Sequence, residues 1–135
     1  HVCNDLGGWG RGFVMATSAR WPEPEREYRR WHAERTDPPF GLGQVQFVAV
    51  EENLWVANLV GQRGMKAEKG KPPIRYEAVC DGLQRVASFA LQQQASVHMP
   101  RIGCGLAGGT WDKIEPLIQE TLIAAGIAVT VYDFE

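Results

Sequence analysis

Apolar and polar positions follow two different periods along the chain, and the changes of period predict strands and helices in turn. In Gln44–Val60, apolar residues alternate at short range and are interrupted near Glu52 and Asn53, which predicts two strands joined by a turn. From Ile74 to Gln93, apolar residues recur every three or four positions, which predicts the clearest helix. Its apolar face contains Tyr76, Val79, Cys80, Leu83, Val86, Ala87 and Ala90.

Shorter signals complete the order of elements. "HVC" is typical of a strand end, "FVMATSAR" and "PEPEREYRRWHAE" predict helices, and "SVHM" and "IAVTVYD" predict strands. A last helix is predicted after Trp111, on the apolar positions Ile114, Ile118, Leu122 and Ala125. Since proline lacks a backbone N–H, we expect Pro116 to disturb its first turns, so that the helix effectively starts near it.

Two glycine-rich stretches each follow a predicted strand. Gly7–Gly12 comes after "HVC", and Gly103–Gly109 comes after "SVHM". Alternating strands and helices predict an α/β fold with a mixed sheet, in which ligands bind at the carboxyl ends of strands. Glycine lets the backbone approach a ligand closely, and free N–H groups before a helix bind anions. The two stretches suit a phosphate or a diphosphate; tight turns without a ligand are the alternative.

Composition sets the class of protein. The 135 residues are 44% hydrophobic and carry a net charge of −2, which predicts one domain, residues 1–135, without general attraction to nucleic acids or membranes. No apolar run reaches the length of a spanning helix, and the three scattered cysteines predict reduced thiols in the cytoplasm and no metal site. Because His1 falls inside a strand pattern, we expect a further strand upstream of it.

Neither glycine stretch matches the dinucleotide pattern G-x-G-x-x-G, and G-K-[ST] is absent. Together, however, "HVCNDLGGWGRGF", "MPRIGCGLAGGTWDKI" and "VTVYD" resemble the macrodomain family over nearly the whole chain. The resemblance is strongest to small bacterial members of the branch of the terminal ADP-ribose protein glycohydrolase. It implies a three-layer α/β/α sandwich with a central mixed sheet, and an ADP-ribose cleft at the strand ends. We expect a monomer that needs no cofactor.

The resemblance also implies site residues. The second glycine loop would hold the diphosphate and the distal ribose, the first would form the facing wall, and a residue near the C-terminus would cover the adenine. The ligand-binding residues implied are Asn4, Gly8, Trp9, Gly10, Gly12, Val60, Gly61, Gln62, Gly103, Cys104, Gly105, Leu106, Ala107, Gly108, Tyr132 and Phe134. For Trp9, stacking on the ligand and packing in the core are equal alternatives.

Two departures from the branch bear on catalysis. Its catalytic lysine and aspartate positions are occupied by Gln62 and Ala107, so a lysine adduct is not expected. Candidate catalytic residues are Asn4, which would orient ribose hydroxyls, Asp5 as a base, and Gln62. For Asp5, the alternative is that it only stabilises a turn.

Three functions fit this resemblance. The first is hydrolysis of ADP-ribose from protein carboxylates or DNA bases. The second is a non-catalytic reader that binds ADP-ribose, which the two departures favour. The third is a phosphatase acting on a phosphorylated ADP-ribose.

Overall fold

The computed structural model describes residues 1–133, which contain five strands and four helices in alternating groups. The strands are β1 (Val2–Asn4), β2 (Val45–Glu51), β3 (Leu54–Gln62), β4 (Val97–Pro100) and β5 (Val129–Tyr132). The helices are α1 (Phe13–Arg20), α2 (Glu23–Glu34), α3 (Tyr76–Gln93) and α4 (Trp111–Ile118). A π-helical turn, Gln119–Ile123, continues α4. The predicted elements are therefore present in the predicted order.

The strands run in mixed directions, as the α/β prediction requires. In the order β1-β3-β2, β1 is parallel to β3 and β2 is antiparallel to it, while β4 and β5 form a separate parallel pair. The hydrogen-bonded ladder of residues 1–133 is thus divided into two parts. The predicted fold class is confirmed.

Two apolar clusters lie on opposite faces of β3, because its side chains alternate. Val60 belongs to the cluster beside α2, with Trp9, Tyr28 and Trp31. Leu59 belongs to the larger cluster beneath α3 and α4. The sheet therefore lies between two helical layers, and both glycine loops connect its strands to helices.

A buried polar network connects the sheet to α2, and the alternation in the sequence did not reveal it. Asn58 is fully buried; its Nδ2 donates to Pro24 O at 3.2 Å and to Gln46 Oε1 at 3.1 Å. Gln46 Nε2 donates to Glu27 O at 2.9 Å. Each amide is satisfied, which makes its burial tolerable.

The expectation for Pro116 is wrong. The last helix begins at Trp111, and Pro116 lies within it. Thr110 O accepts the N–H groups of Lys113 and Ile114, both at 3.1 Å, and closes the first turn upstream of the proline. Burial of Ile114 and Ile118 then offsets the one hydrogen bond that proline cannot donate.

Candidate functional site

The first glycine loop is organised by Asn4 at the end of β1. Asn4 Oδ1 accepts the N–H groups of Leu6 at 2.9 Å and Gly8 at 3.0 Å, and Nδ2 donates to Gly8 O at 3.0 Å. Tyr28 Oη donates to Asn4 O at 2.5 Å and lies 3.1 Å from Oδ1. Asn4 therefore holds the loop in shape, and one of its two Nδ2 hydrogens has no acceptor within residues 1–133.

Trp9 lies in the core, which decides between its two alternatives. Its side chain is buried between His1 and Tyr28, with ring centroids 5.2 Å and 5.5 Å away. Its Nε1 donates to Ser18 Oγ at 2.7 Å. Trp9 supports the loop from beneath, so its ring is not available to stack on a ligand.

Asp5 and Gln62 come together where β1 and β3 end side by side. The Asp5 N–H donates to Gln62 O at 3.0 Å, and Asp5 Oδ1 accepts the N–H of Gly64 at 2.7 Å. Gln62 Nε2 donates to Gly64 O at 3.1 Å. The second oxygen of Asp5 has no hydrogen-bond donor within residues 1–133. Asp5 thus fixes a turn, and still has one carboxylate oxygen available.

The second glycine loop closes on itself and leaves three consecutive donors free. The N–H of Gly109 donates to Gly103 O at 2.7 Å, and that of Gly108 to Gly105 O at 3.0 Å. In the part of the chain that the structure describes, the N–H groups of Gly105, Leu106 and Ala107 have no acceptor. Successive free N–H groups in a loop form a concave anion site.

The two glycine loops face each other at close range. A Cβ built on Gly12 would lie 3.7 Å from Leu106 Cδ1, whereas Cβ atoms built on Gly10 or Gly105 would meet nothing within 4 Å. The Leu106 side chain is 64% exposed. The loops therefore lie close to each other across a space that we call the gap, and a side chain at Gly10 or Gly105 would meet open space.

Several predicted residues hold the fold around this gap rather than presenting side chains to it. Val60 is fully buried, and a Cβ on Gly61 would lie 2.9 Å from Val79 Cγ2. Ala107 is buried in the larger core cluster. Cys104 Sγ lies 3.4 Å from Ile102 O, and burial raises the pKa of its thiol, which disfavours the thiolate.

The residues predicted to cover the adenine lie on or beyond β5. Tyr132 is 52% exposed, and its Oη lies 3.0 Å from His98 Nδ1. Next to it, Arg101 Nε donates to Asp133 Oδ1 at 2.5 Å and lowers the pKa of that carboxyl. Phe134 is outside the described residues.

Tyr28 was missed as a site residue. Its three-residue spacing from Trp31 predicted only helix packing, and no sequence signal linked its hydroxyl to Asn4. Burial raises the pKa of Tyr28 well above its usual range, so the hydroxyl stays protonated and remains a donor.

Other cavities and clusters of the described residues lie outside the two glycine loops. A cavity of about 600 Å³ lies between α2 and β2, away from both glycine loops. A second cavity, of about 300 Å³, has an apolar lining that includes Phe13 and Ile102, which flank the two glycine loops. Within residues 1–133, no group of three or more His, Cys, Asp or Glu side chains is placed to hold a metal ion. The helices of the same residues include none that is both long and apolar enough to cross a bilayer.

Solved structures that share more than half of their sequence with this chain include the following two. A macrodomain protein from Streptomyces coelicolor is 59% identical, with a TM-score of 0.87, and the match covers 100% of this chain and 86% of that one. A protein of unknown function from Bacteroides thetaiotaomicron is 57% identical, with a TM-score of 0.95, and the match covers 99% and 85%. No family model matches the sequence.

Two relatives of lower sequence identity share one name. Chromodomain-helicase-DNA-binding protein 1-like from Danio rerio is 34% identical over 140 residues, which are 98% of this chain and 13% of that protein. The mouse protein of the same name is 30% identical, over 99% of this chain and 15% of its own length. The chain thus spans less than a sixth of these two relatives.

Three further matches name ADP-ribose chemistry. Human ADP-ribose glycohydrolase OARD1 is 36% identical over 58 residues, which are 42% of this chain and 38% of that protein. ADP-ribose 1''-phosphate phosphatase from Candida albicans is 21% identical over 125 residues, covering 89% of this chain and 78% of that protein. Thermosipho africanus DarTG, solved in complex with ADP-ribose, shares the fold at 19% identity, a TM-score of 0.76, and coverage of 99% and 37%.

Proposed function

This chain belongs to the macrodomain family, and from that premise we propose that it binds ADP-ribose between its two glycine loops and hydrolyses the bond joining ADP-ribose to a modified acceptor. The observation that carries the proposal is the row of three free N–H groups at Gly105–Ala107, opposite the first loop. The oxygens of a diphosphate can accept hydrogen bonds from these three N–H groups. The relatives named for ADP-ribose support the identity of the ligand.

Binding uses backbone more than side chains. The N–H groups of 105–107 would donate to diphosphate oxygens, and such charge-assisted bonds are about twice as strong as neutral ones. Gly10 and Gly105 leave the space that the ligand's phosphates and ribose need. The remaining Nδ2 hydrogen of Asn4 would donate to a distal ribose hydroxyl.

Hydrolysis is displacement at the anomeric carbon of the distal ribose. Water forms the new C–O bond, the bond to the acceptor breaks, and the acceptor leaves with the electron pair and takes up a proton. Positive charge builds up on the ribose during the displacement. The free oxygen of Asp5 would accept the proton of the attacking water, while Gln62 holds the Gly64 turn beside it. Holding water and sugar in line supplies part of the rate by positioning alone.

A reader function is the second candidate, and one observation favours it. Ala107 stands where the branch has its catalytic aspartate, and it is packed into the apolar core. Nothing at that position can act as a base. A domain with this loop would keep its affinity for ADP-ribose and release the modified acceptor unchanged.

A turnover assay separates the two candidates. The purified chain is incubated with ADP-ribose linked to protein carboxylates, and separately with ADP-ribosylated single-stranded DNA, and free ADP-ribose is followed over time. Release from either substrate supports the hydrolase and names its acceptor. Binding of ADP-ribose without release from either substrate overturns the hydrolase in favour of the reader.

A further inference from the structure

Three of the chain's four lysines lie within six residues, at Lys66, Lys69 and Lys71. The structure folds them into a small hairpin, residues 66–71, which we call the lysine hairpin. Glu68 and Lys71 exchange backbone hydrogen bonds of 3.0 Å and 2.9 Å, and Lys69 and Gly70 form the tip with φ angles of 51° and 75°. Lysine is uncommon in this left-handed region, where Asn, Asp and Gly are preferred. The hairpin therefore places lysine at its tip against the local preference of the backbone.

The lysine hairpin stands beside the candidate site. Gly64, just before it, donates its N–H to Asp5 Oδ1. Met65 Sδ lies against the first glycine loop, 2.7 Å from where a Cβ on Gly8 would be. On the other side, the Arg63 N–H donates to Pro73 O at 2.9 Å. The contacts of Gly64 and Met65 attach the base of the hairpin to the first glycine loop, and the hydrogen bond from Arg63 to Pro73 closes that base.

The cations here are exposed and unpaired. Six ion pairs involve arginines elsewhere, but in residues 1–133 none includes Arg63, Lys66, Lys69 or Lys71. All four side chains are exposed, and Glu68 is the hairpin's one carboxylate. Since the whole chain has a net charge of −2, this positive surface is local.

We propose that the lysine hairpin binds the backbone phosphates of a nucleic-acid strand that carries the ADP-ribose held in the site. This inference rests on the proposed function, and identifies the acceptor as nucleic acid. Lysine ammonium groups act as mobile point charges, which suits phosphate contacts that are independent of base sequence. A single modified protein carboxylate provides no regular row of anions for three lysines, whereas every nucleotide adds one phosphate.

The test compares two ligands on the same protein by calorimetry: free ADP-ribose, and a single-stranded oligonucleotide with one ADP-ribosylated base. Both ligands are titrated into the wild type and into a variant with Lys66→Gln, Lys69→Gln and Lys71→Gln. A control variant with the same change in charge carries Arg20→Gln, Arg26→Gln and Arg35→Gln, all exposed positions on or after α1 and α2. If the wild type hydrolyses the modified oligonucleotide, all the variants are made in the Asp5→Asn background, so that binding is measured without turnover.

Three phosphate contacts on a single strand give a slope of about −2 for log affinity against log salt. We therefore expect the preference for the oligonucleotide over free ADP-ribose to fall about 20-fold between 50 and 200 mM salt in the wild type and the control. In the lysine variant this preference should be small and insensitive to salt, with affinity for free ADP-ribose unchanged.

Each other outcome overturns the inference in a distinguishable way. If the lysine variant prefers the oligonucleotide over free ADP-ribose as strongly as the wild type does, the hairpin does not bind the acceptor, while the proposed ADP-ribose site is unaffected. A third titration uses an ADP-ribosylated acidic peptide: if the lysine variant loses as much affinity for that peptide as for the oligonucleotide, the hairpin does not select nucleic acid and the inference is overturned. If the wild type does not bind free ADP-ribose, the proposed function fails first, and this inference fails with it.

Discussion

At the scale of single residues, the site depends on side chains that hold the backbone rather than on side chains aimed at the ligand. Asn4 satisfies donors and acceptors of its own loop, and Tyr28 fixes Asn4 from α2. Asp5 spans from the first loop to Gly64. A glycine-rich loop has few side chains of its own to fix its conformation. Hydrogen bonds from neighbouring side chains must therefore hold its backbone in place.

Tyr28→Phe removes one hydroxyl from this support. The change leaves a buried acceptor at Asn4 with one donor fewer, which should lower the free energy of unfolding by about 1–3 kcal/mol. We also expect weaker ADP-ribose binding, because the first loop loses its fixed shape. Urea unfolding and calorimetry measure the two effects. Tyr132→Phe, at an exposed tyrosine, is the matched control and should change stability by less than about 0.5 kcal/mol. Equal effects of the two variants on the free energy of unfolding would contradict the role given to Tyr28.

Asp5→Asn separates the structural role of that carboxylate from its proposed catalytic role. The amide oxygen of asparagine can still accept the Gly64 N–H, so the fold and the affinity for ADP-ribose should persist. Loss of the base should lower the rate of ADP-ribose release by about 100-fold or more. Glu52→Gln, at an exposed turn, controls for the change in charge. If Asp5→Asn released ADP-ribose at the wild-type rate, Asp5 would not be the base, and its role would be limited to holding the turn at Gly64.

At the scale of elements, the second glycine loop has positions with opposite tolerance. A Cβ on Gly109 would lie 2.5 Å from Gly103 O, whereas one on Gly105 would meet nothing within 4 Å. Both residues lie outside the left-handed region, so contact rather than backbone strain decides the difference. Four glycines in one loop therefore serve two purposes: closure of the loop and space for a ligand.

Gly109→Ala should cost about 1–3 kcal/mol of stability, as overpacking against a fixed carbonyl typically does. Gly105→Ala should leave stability nearly unchanged, because its Cβ points into open space. Thermal or urea unfolding of the two variants side by side tests this. A destabilisation that is as large at Gly105 as at Gly109 would mean that the loop is not open where we place the ligand.

The sequence predicted the elements well where periodicity was strong, as in α3 and in the β2–β3 pair. It did not predict that Gln46 and Asn58 would be buried, because their partners are backbone carbonyls of α2, far along the chain. The helix start at Trp111 was missed because the first turn closes on the Thr110 carbonyl before the chain reaches Pro116. Composition and spacing showed where the glycine loops lie, but not which of their N–H groups are free.

At the scale of the whole molecule, the fold brings two loops distant in sequence to one gap. β1 and β4 belong to different ladders, yet a Cβ built on Gly12, which follows β1, would lie 3.7 Å from Cδ1 of Leu106, which follows β4. One wall is shaped by Asn4 and Trp9, and the other offers three free N–H groups. The lysine hairpin lies beside the first wall. ADP-ribose binding at this gap is the claim on which the other proposals depend.

The most direct measurement is a calorimetric titration of ADP-ribose into the wild type and into Gly105→Glu. Because Gly105 opens into empty space, glutamate there should leave the fold intact while placing a bulky negative side chain in the anion loop. We predict saturable binding by the wild type and no detectable binding by Gly105→Glu, with matching unfolding curves. Equal affinity for ADP-ribose in both proteins would contradict the assignment of the site to this loop.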